Sequence, residues 1–420
     1  MLPRDVKLRH PVKGENQGSH QLLALQTLQQ VLAWHAALTP AVEHRDAHRL
    51  ADAPPRHIIM KVLHIITSLQ TGGAERLMVD LLPRLRELGN EVELLVFDGS
   101  RTPFYEQLEA KGIIIHALGE GGNVYHPRNM WRLTQFLREH RYDIVHTHNT
   151  ACQLYAPIAC VLSRSEFRLF TTEHSANNRR RGKWWLKPID RWMYNRYERI
   201  VCISERPREN LEAHIGKQKN ICTILNGVDV AQFSHPIKDI SQNSQFVITM
   251  VASLSAAKDQ NTLICAMAQL SESYRLQLVG NGPRLTELEA LVQKLRLADR
   301  ITFLGNRTDI PELMETSDVM VLSSHWEGLS LSSIEGMASG RPFVASDVDG
   351  LREVVQGAGV LFPEGDAPTL ARAIQELCEN PELYREVADR CQQRAKQFDI
   401  SLMANRYSEL YFSEPIGPVH

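Results

Sequence analysis

The segment VMVLSSHWEGLSLSSIEGMASGRPFVAS, residues Val319–Ser346, decides how this chain reads. It opens on an apolar run, Val319–Leu322, with the length and composition of a buried strand. A polar loop from Ser323 to Gly328 follows. Ser332–Ala338 then predicts a helix that stops at Gly340, with Ser330 or Ser332 able to cap its start. Pro342–Ala345 begins the next apolar run. Strand, helix and strand in so short a span make the repeating unit of a parallel sheet covered on both faces.

Working outward, the same rhythm recurs twice. Toward the C-terminus, strands are expected at Phe246–Ala252, Leu276–Gly280, Ile301–Leu304, Val319–Leu322, Pro342–Ala345 and Val360–Phe362. Helices are expected at Asp259–Leu270, Arg284–Leu295, Ser332–Ala338, Ala367–Asn380 and Pro381–Gln397. Toward the N-terminus, strands are expected at Val62–Thr67, Val92–Phe97, Ile113–Ala117, Ile144–His148, Arg168–Thr172, Ile200–Ile203 and Ile221–Leu225. Helices there are Ala74–Leu88, Asn129–His140 and Lys187–Arg196. Asn226–Gln245, rich in Asn, Gly, Asp, Ser and Pro, separates the two series and reads as a domain boundary. The expectation is α/β: two doubly wound domains facing across a cleft, with ligands beyond the carboxyl ends of the strands.

A length of 420 residues fits two such domains and a remainder. The boundaries read as 60–232, 233–398, and a C-terminal helix and tail, 399–420, packing back toward the first domain. Residues 1–59 hold six of the 17 histidines and no periodic strand. They read as a poorly ordered extension, or as residues upstream of a later start at Met60. The amphipathic stretch Gln21–Ala37 leaves a partner-docking helix as the other reading. The N-terminus lacks the apolar core of a secretory signal. No run approaches the roughly 20 apolar residues of a membrane span. The seven cysteines include no C-x-x-C pair, which excludes a zinc knuckle or redox motif and fits reduced thiols in the cytoplasm. A net charge of -2 argues against nucleic acid bound over the whole surface.

Two regions carry chemistry. After the first strand, Thr71-Gly72-Gly73-Ala74-Glu75 runs into a helix. Paired glycines let backbone approach a ligand, and helix N–H groups suit an anion; a tight turn packed on glycine is the plain alternative. In the opening segment, Glu327 lies on the loop and Glu335 on the helix. Two carboxylates flanking a helix N-terminus can hold sugar and ribose hydroxyls while the helix end meets a diphosphate. They can equally be two surface carboxylates.

Glu327 and Glu335 form an E-x7-E pattern followed by Gly336-Met337-Ala338-Ser339-Gly340-Arg341-Pro342. With Gly72-Gly73-Ala74-Glu75, Asp143-Ile144-Val145-His146-Thr147-His148, Asn226-Gly227-Val228-Asp229, Gly280-Asn281-Gly282-Pro283 and Phe303-Leu304-Gly305, it resembles retaining glycosyltransferase family 4, of the two-domain, Rossmann-like GT-B fold. The resemblance spans Met60 to about Phe412. It implies that Glu335 binds the nucleotide ribose and Glu327 the hydroxyls of the transferred sugar. Gly72 and Gly73 would lie against the donor phosphates, and Lys258 would neutralise the diphosphate leaving group. Ser253, Gly280, Gly328, Leu329 and Ser330 complete the donor side. His148 matches the N-terminal-domain active-site histidine, and His174 is expected on the acceptor side. His146 reads as a satisfied core histidine. The implied cofactor is none and the implied metal is none; the co-substrate is a nucleotide sugar, UDP-linked by family habit, and the acceptor a glycan or a lipid-linked sugar of surface polysaccharide assembly. The implied mechanism is transfer with retention, the leaving diphosphate assisting deprotonation of the acceptor.

One departure stands out. Many relatives carry Arg where this chain has Ser253, and a hydroxyl supplies neither the charge nor the bidentate bonds of a guanidinium. Arg307 and Arg341 are candidates to replace it. The departure keeps a weak or inactive sugar-nucleotide binder as an alternative, beside a GT-B-type sugar-nucleotide epimerase. Residues 176–199 are the second unusual stretch. Eight cations face two carboxylates there, interleaved with Trp184, Trp185 and Trp192. The pattern suits an anionic membrane surface, a location peripheral to the inner face. It also suits a solvated helix with a packed aromatic face.

Overall fold

The computed structural model describes residues 59–70, 72–174 and 186–414. The expected extension, the helix at Gln21–Ala37, Thr71 and the segment carrying Arg179, Arg180, Arg181, Lys183, Trp184 and Trp185 lie outside the described residues.

Seven strands form the first sheet: β1 Lys61–Ile66, β2 Glu91–Val96, β3 Ile114–Ala117, β4 Ile144–His148, β5 Arg168–Glu173, β6 Arg199–Cys202 and β7 Ile221–Thr223. Their order is β3-β2-β1-β4-β5-β6-β7, every pair parallel. The helices between them are α1 Gly73–Glu87, α2 Pro103–Ala110, α3 Pro127–Glu139, α4 Thr150–Ser163, α5 Lys187–Tyr194 and α6 Glu205–Ile215. A short helix, α7 Val230–Phe233, sits in the linker.

The second sheet contains β8 Phe246–Val251, β9 Tyr274–Val279, β10 Ile301–Gly305, β11 Val319–Leu322, β12 Phe343–Ser346 and β13 Val360–Phe362, in the parallel order β10-β9-β8-β11-β12-β13. Its helices are α8 Gln260–Met267, α9 Leu285–Lys294, α10 Ile310–Thr316, α11 Leu331–Ala338, α12 Leu351–Val355, α13 Ala367–Glu379 and α14 Pro381–Ala395. A last helix, α15 Ile400–Phe412, follows. The architecture is therefore two Rossmann-like domains. Each sheet reverses direction of growth beside its first strand, β1 or β8, the switch point where such folds bind ligands.

Both faces of the first sheet are buried, and the two sides of each strand go to different cores. Val62 and Ile66 of β1 join one apolar cluster, Leu63 and Ile65 the other. The first cluster is closed by α15, whose Ile400, Met403, Ala404, Tyr407 and Tyr411 are buried in it. The C-terminal helix thus completes the core of the N-terminal domain. The outgoing and returning chains meet at the linker: Val228 N–H donates to Phe398 O at 3.0 Å and Ile400 N–H to Val228 O at 2.8 Å. Gly227 allows this approach, because a Cβ there would lie 2.9 Å from Ile400 Cα.

All seven cysteines are unpaired. Among the described residues no helix is long and apolar enough to cross a membrane.

Candidate active site

Strand ends of both sheets open on one cleft of about 770 Å³, a volume suited to a ligand of nucleotide-sugar size. Its C-terminal wall rests on tight backbone contacts. At the end of β9, Gly280 has φ +132 and a Cβ there would stand 2.1 Å from Ala252 O, so only glycine fits beside the turn after β8. That turn carries Ser253 and leads through a single 3-10 turn, Ala256–Lys258, to Lys258. Asp259 follows with φ 44 and caps α8. Ser323 Oγ–H donates to Asp259 O at 2.8 Å and fixes the turn against the end of β11.

The loop after β11 carries Glu327. Its carboxylate accepts from the Lys258 ammonium and from Ser324 Oγ–H at 2.7 Å. The two residues expected on sugar and diphosphate are thus ion-paired with one another. Behind them Gly350, φ +84, leaves room for the loop; a Cβ there would come within 1.9 Å of Gly328 O. The loop ends in α11. Its N-cap residue, Ser330, makes no side-chain capping bond, so the first-turn N–H groups of α11 lack that partner. Gly328, Leu329 and Ser330 line the cleft at this end. One turn on, Glu335 also lines it. The residue is 9 % exposed, and its carboxyl has no hydrogen-bond partner among the described residues. Burial pushes this carboxyl up to about 7; Arg76 across the cleft opposes the shift and Asp80 adds to it.

The N-terminal wall is built from α1 and the ends of β4 and β5. Gly72 precedes α1, and a Cβ there would strike the Glu75 carboxylate at 2.2 Å. Around Gly73 nothing lies within 4 Å of a Cβ position, so packing does not require glycine at Gly73. Arg76 donates to Asp80 Oδ2 at 3.0 Å and to Gln232 Oε1 of α7 at 2.9 Å, tying α1 to the linker helix. His174 lines the cleft, and His148 does not. His148 is fully buried, with Nε2 on His64 Nδ1 and Nδ1 on His174 Nε2, both at 2.9 Å. The register explains this. His148 pairs with Thr172, so His174, two residues beyond, stands one step nearer the opening on the same side. His146 is buried one step lower, between Tyr411 OH and Thr172 Oγ1.

His64, His146 and His148 bring ligand nitrogens within 4.8 Å of one another, a spacing a metal could bridge. Each of these nitrogens is instead in a hydrogen bond.

Of the two arginines expected to stand in for Ser253, the structure removes one. Arg341 is 3 % exposed, and its guanidinium donates to backbone carbonyls of Glu315, Ser317, Pro236, Ser339 and Gly340. It pins the segment before β12 and does not reach the cleft. Arg307 does line the cleft and is paired with Asp309 at 2.8 Å. Arg76 is a third cleft cation, which sequence reading left out although it directly follows the Gly72–Glu75 motif.

Comparison with known proteins follows the same division. Residues 71–232 match the family model described as Glycosyltransferase Family 4, and residues 234–398 match Glycosyl transferases group 1. The chain belongs to glycosyltransferase family 4. A lipopolysaccharide core biosynthesis glycosyltransferase of Rhizobium meliloti, LpsD, is 28% identical, covering 78% of this chain and 91% of its own. The Escherichia coli UDP-Gal:alpha-D-GlcNAc-diphosphoundecaprenol alpha-1,3-galactosyltransferase is 23% identical over 84% of this chain and 97% of its own. In fold, the chain is similar to Anabaena Alr3699/HepE, solved in complex with UDP and glucose, with a TM-score of 0.73, 24% identity, and 84% and 99% of the two chains covered. This family 4 glycosyltransferase therefore has the GT-B fold, and its described cleft lies where two such domains face each other.

Proposed function

We propose that the protein moves a sugar, with retention of anomeric configuration, from a nucleotide diphosphate sugar to a glycan or lipid-linked acceptor of surface polysaccharide assembly. The observation that carries this reading is the C-terminal wall. There a helix N-terminus without a side-chain cap, the Lys258 ammonium and the unpartnered carboxyl of Glu335 face one cavity. That set matches a diphosphate at the helix end and a ribose on the carboxylate. UDP is the favoured nucleotide, supported by the complex formed by the Anabaena relative and by the donor in the Escherichia coli enzyme's name.

In this mechanism the donor diphosphate displaces Glu327 from Lys258, freeing that carboxylate for sugar hydroxyls. Lys258 and the α11 N–H groups then stabilise the charge that develops on the leaving diphosphate. The diphosphate oxygen takes the acceptor proton on the face of attack. The cleft walls hold both substrates and exclude water. No cofactor or metal is assigned. His148 acts from behind His174 and not as a cleft-lining group.

The reading includes a location, cytoplasmic and peripheral on an anionic membrane. It is supported by the cationic aromatic composition of 176–199 and, in α5, by Ile189 and Trp192 at 45% and 40% exposure with Arg196 over the Trp192 ring. A thermal-shift panel of nucleotide sugars, followed by transfer assays and proton NMR of the new anomeric centre, tests the activity. Stabilisation by UDP-sugars and a product of unchanged configuration are expected. An inverted product, or turnover of the donor with no acceptor present, would overturn it. Flotation with anionic vesicles tests the location, with no binding the contrary result.

A further inference from the structure

Beneath His174 lies a hydrogen-bonded chain of which the transfer mechanism uses only the His148–His174 end. Tyr407 OH meets Thr172 Oγ1 at 3.0 Å, and Thr172 Oγ1 meets His146 Nε2 at 2.8 Å. His146 Nδ1 meets Tyr411 OH at 2.8 Å, and Tyr411 OH meets His64 Nε2 at 3.3 Å. His64 Nδ1 continues to His148 Nε2, and His148 Nδ1 to His174 Nε2, each at 2.9 Å. The chain starts on the C-terminal helix, crosses β5, β4 and β1, and ends at the cleft wall.

Proton counting gives this chain a direction. Burial holds the histidines neutral, with His64 pushed down to about 3 and His174 to about 4, and it raises both tyrosines. Each neutral ring then offers one donor and one acceptor, and each hydroxyl one proton. The seven groups carry seven protons between them for six links. An arrangement in which Thr172 or Tyr411 accepts from both sides leaves a fully buried hydroxyl proton with no acceptor among the described residues and is disfavoured for that reason. With every link filled, the protons point the same way along the chain and one is left over at an end.

If it remains on Tyr407, a phenol proton at 0% exposure has no acceptor among the described residues, since Thr172 is the only hydrogen-bond partner of that hydroxyl. A buried unmatched donor is costly. If it remains on His174, it sits on Nδ1 of a partly exposed ring that lines the cleft, where a ligand or water can accept it. The second direction wins. Tyr407 donates to Thr172, Thr172 to His146, His146 to Tyr411, Tyr411 to His64, His64 to His148, and His148 to His174.

We infer that this chain locks His174 in the Nδ1–H tautomer, so that it presents a hydrogen-bond donor to an acceptor oxygen of the sugar bound in the cleft. The tautomer rests on the hydrogen-bond geometry and on the burial that keeps the rings neutral; the sugar contact rests on the transferase reading above. Tyr407, Tyr411, Thr172, His146, His64 and His148 are positioning residues acting through His174.

Long-range proton–nitrogen NMR of the full chain labelled with 15N-histidine reads the tautomer without any assay of transfer. His174 is assigned by the signal lost in His174→Asn. The wild type is expected as a single Nδ1–H form. Tyr411→Phe cuts the chain and leaves either direction of the His64–His148–His174 segment with one unmatched buried site, so Nε2–H should appear in comparable amount. Transfer kcat/KM should then fall several-fold to about tenfold, as for loss of one neutral hydrogen bond, with UDP affinity unchanged. Thr172→Val repeats the cut two links earlier should Tyr411→Phe fail to fold. His174→Asn, which can place an amide N–H near the Nδ1 position, should retain more transfer than His174→Leu. A wild-type Nε2–H or protonated His174, or a single unchanged tautomer after the chain is cut, would overturn the inference. Stoichiometric zinc that perturbs the His64, His146 and His148 signals would overturn it in favour of a metal cage. A confirmed tautomer switch with unaltered transfer would sink the sugar contact alone. Absence of transfer with every donor would count against the proposed function and leave the tautomer result standing.

Discussion

The C-terminal wall of the cleft and the β4–β5 face of the N-terminal wall are built on the same kind of sheet and use opposite electrostatics, Arg76 of α1 being the cation that the N-terminal side adds. The C-terminal wall carries charge: a lysine paired with a glutamate, a helix N-terminus and a buried carboxyl. The N-terminal wall at β4 and β5 has its histidines driven neutral by burial and linked in a chain. A wall of fixed charge suits a diphosphate, whose own charge grows as it leaves. A wall of neutral donors and acceptors suits a sugar, which needs orientation and would gain little from a field. Removing charge on one side should therefore cost more than altering shape or hydrogen bonds on the other.

The largest effect is expected from Lys258→Ala. It removes the cation paired with Glu327 and leaves that carboxylate, among the described residues, held only by Ser324. Loss of a preorganised group aimed at developing charge costs about 10²–10³-fold in kcat. Steady-state kinetics with the donor found in the panel check this; a loss under tenfold would show that Arg307 or Arg76 carries the leaving-group charge.

Glu335→Gln comes next, with an expected rise in donor KM of about 10–100-fold from weakened bonds to the ribose. The pH dependence sharpens this prediction. Burial pushes the Glu335 carboxyl up to about 7, against 4.5 as its ordinary value. A folded pKa above the unfolded one gives a contribution that is full below pH 4.5 and is lost as pH rises through 7. For a carboxyl this buried, the loss is on the order of 3 kcal/mol. The wild type should thus lose thermal stability relative to Glu335→Gln between pH 4.5 and 8 when no ligand is present. If the ionised form holds the ribose, UDP binding should weaken as pH falls below about 7 and release a proton near it. Parallel melting curves for the two proteins across this range would refute the assignment.

The strands and the C-terminal wall were legible because their signals are local. Apolar runs flanked by Gly and Ser placed all thirteen strands within two residues of the observed ends. The E-x7-E spacing put Glu327 and Glu335 on the loop and helix where they lie. Helices α2, α4, α6, α7, α10 and α12 were not anticipated. Helix α4 has buried residues around its circumference and so shows no amphipathic stripe, while α7, α10 and α12 are too short for a period to register. The N-terminal wall was harder still. Nothing local in His64, His146 or Thr172 says that Tyr407 and Tyr411, more than 200 residues away, will be folded onto them. Arg341 was misread for the same reason: its five carbonyl partners come from three separate segments.

Gly73→Ala tests shape on the N-terminal wall. With no atom within 4 Å of the added methyl among the described residues beyond its chain neighbours and its own helix backbone, folding should be untouched and the melting temperature unchanged. If the donor lies against this loop, the methyl meets ligand instead, and donor KM should rise by about tenfold. An unchanged KM would move the phosphates away from α1.

The smallest effect should come from the tie between the walls. Arg206 of α6 donates to Asp349, and the two side chains are 41% and 54% exposed. Asp349 adjoins Gly350, which packs against the Glu327–Gly328 loop, so this contact links the N-terminal domain to the loop that carries charge. An exposed pair contributes little, because water and salt screen it and two long side chains must be held in place. Arg206→Ala should change kcat/KM by less than about threefold at low salt, with the difference vanishing by 1 M salt. A large effect that persists in high salt would mean that this contact sets the spacing of the two walls. The contrast between a charged wall and a neutral one would then depend on how far the cleft is closed.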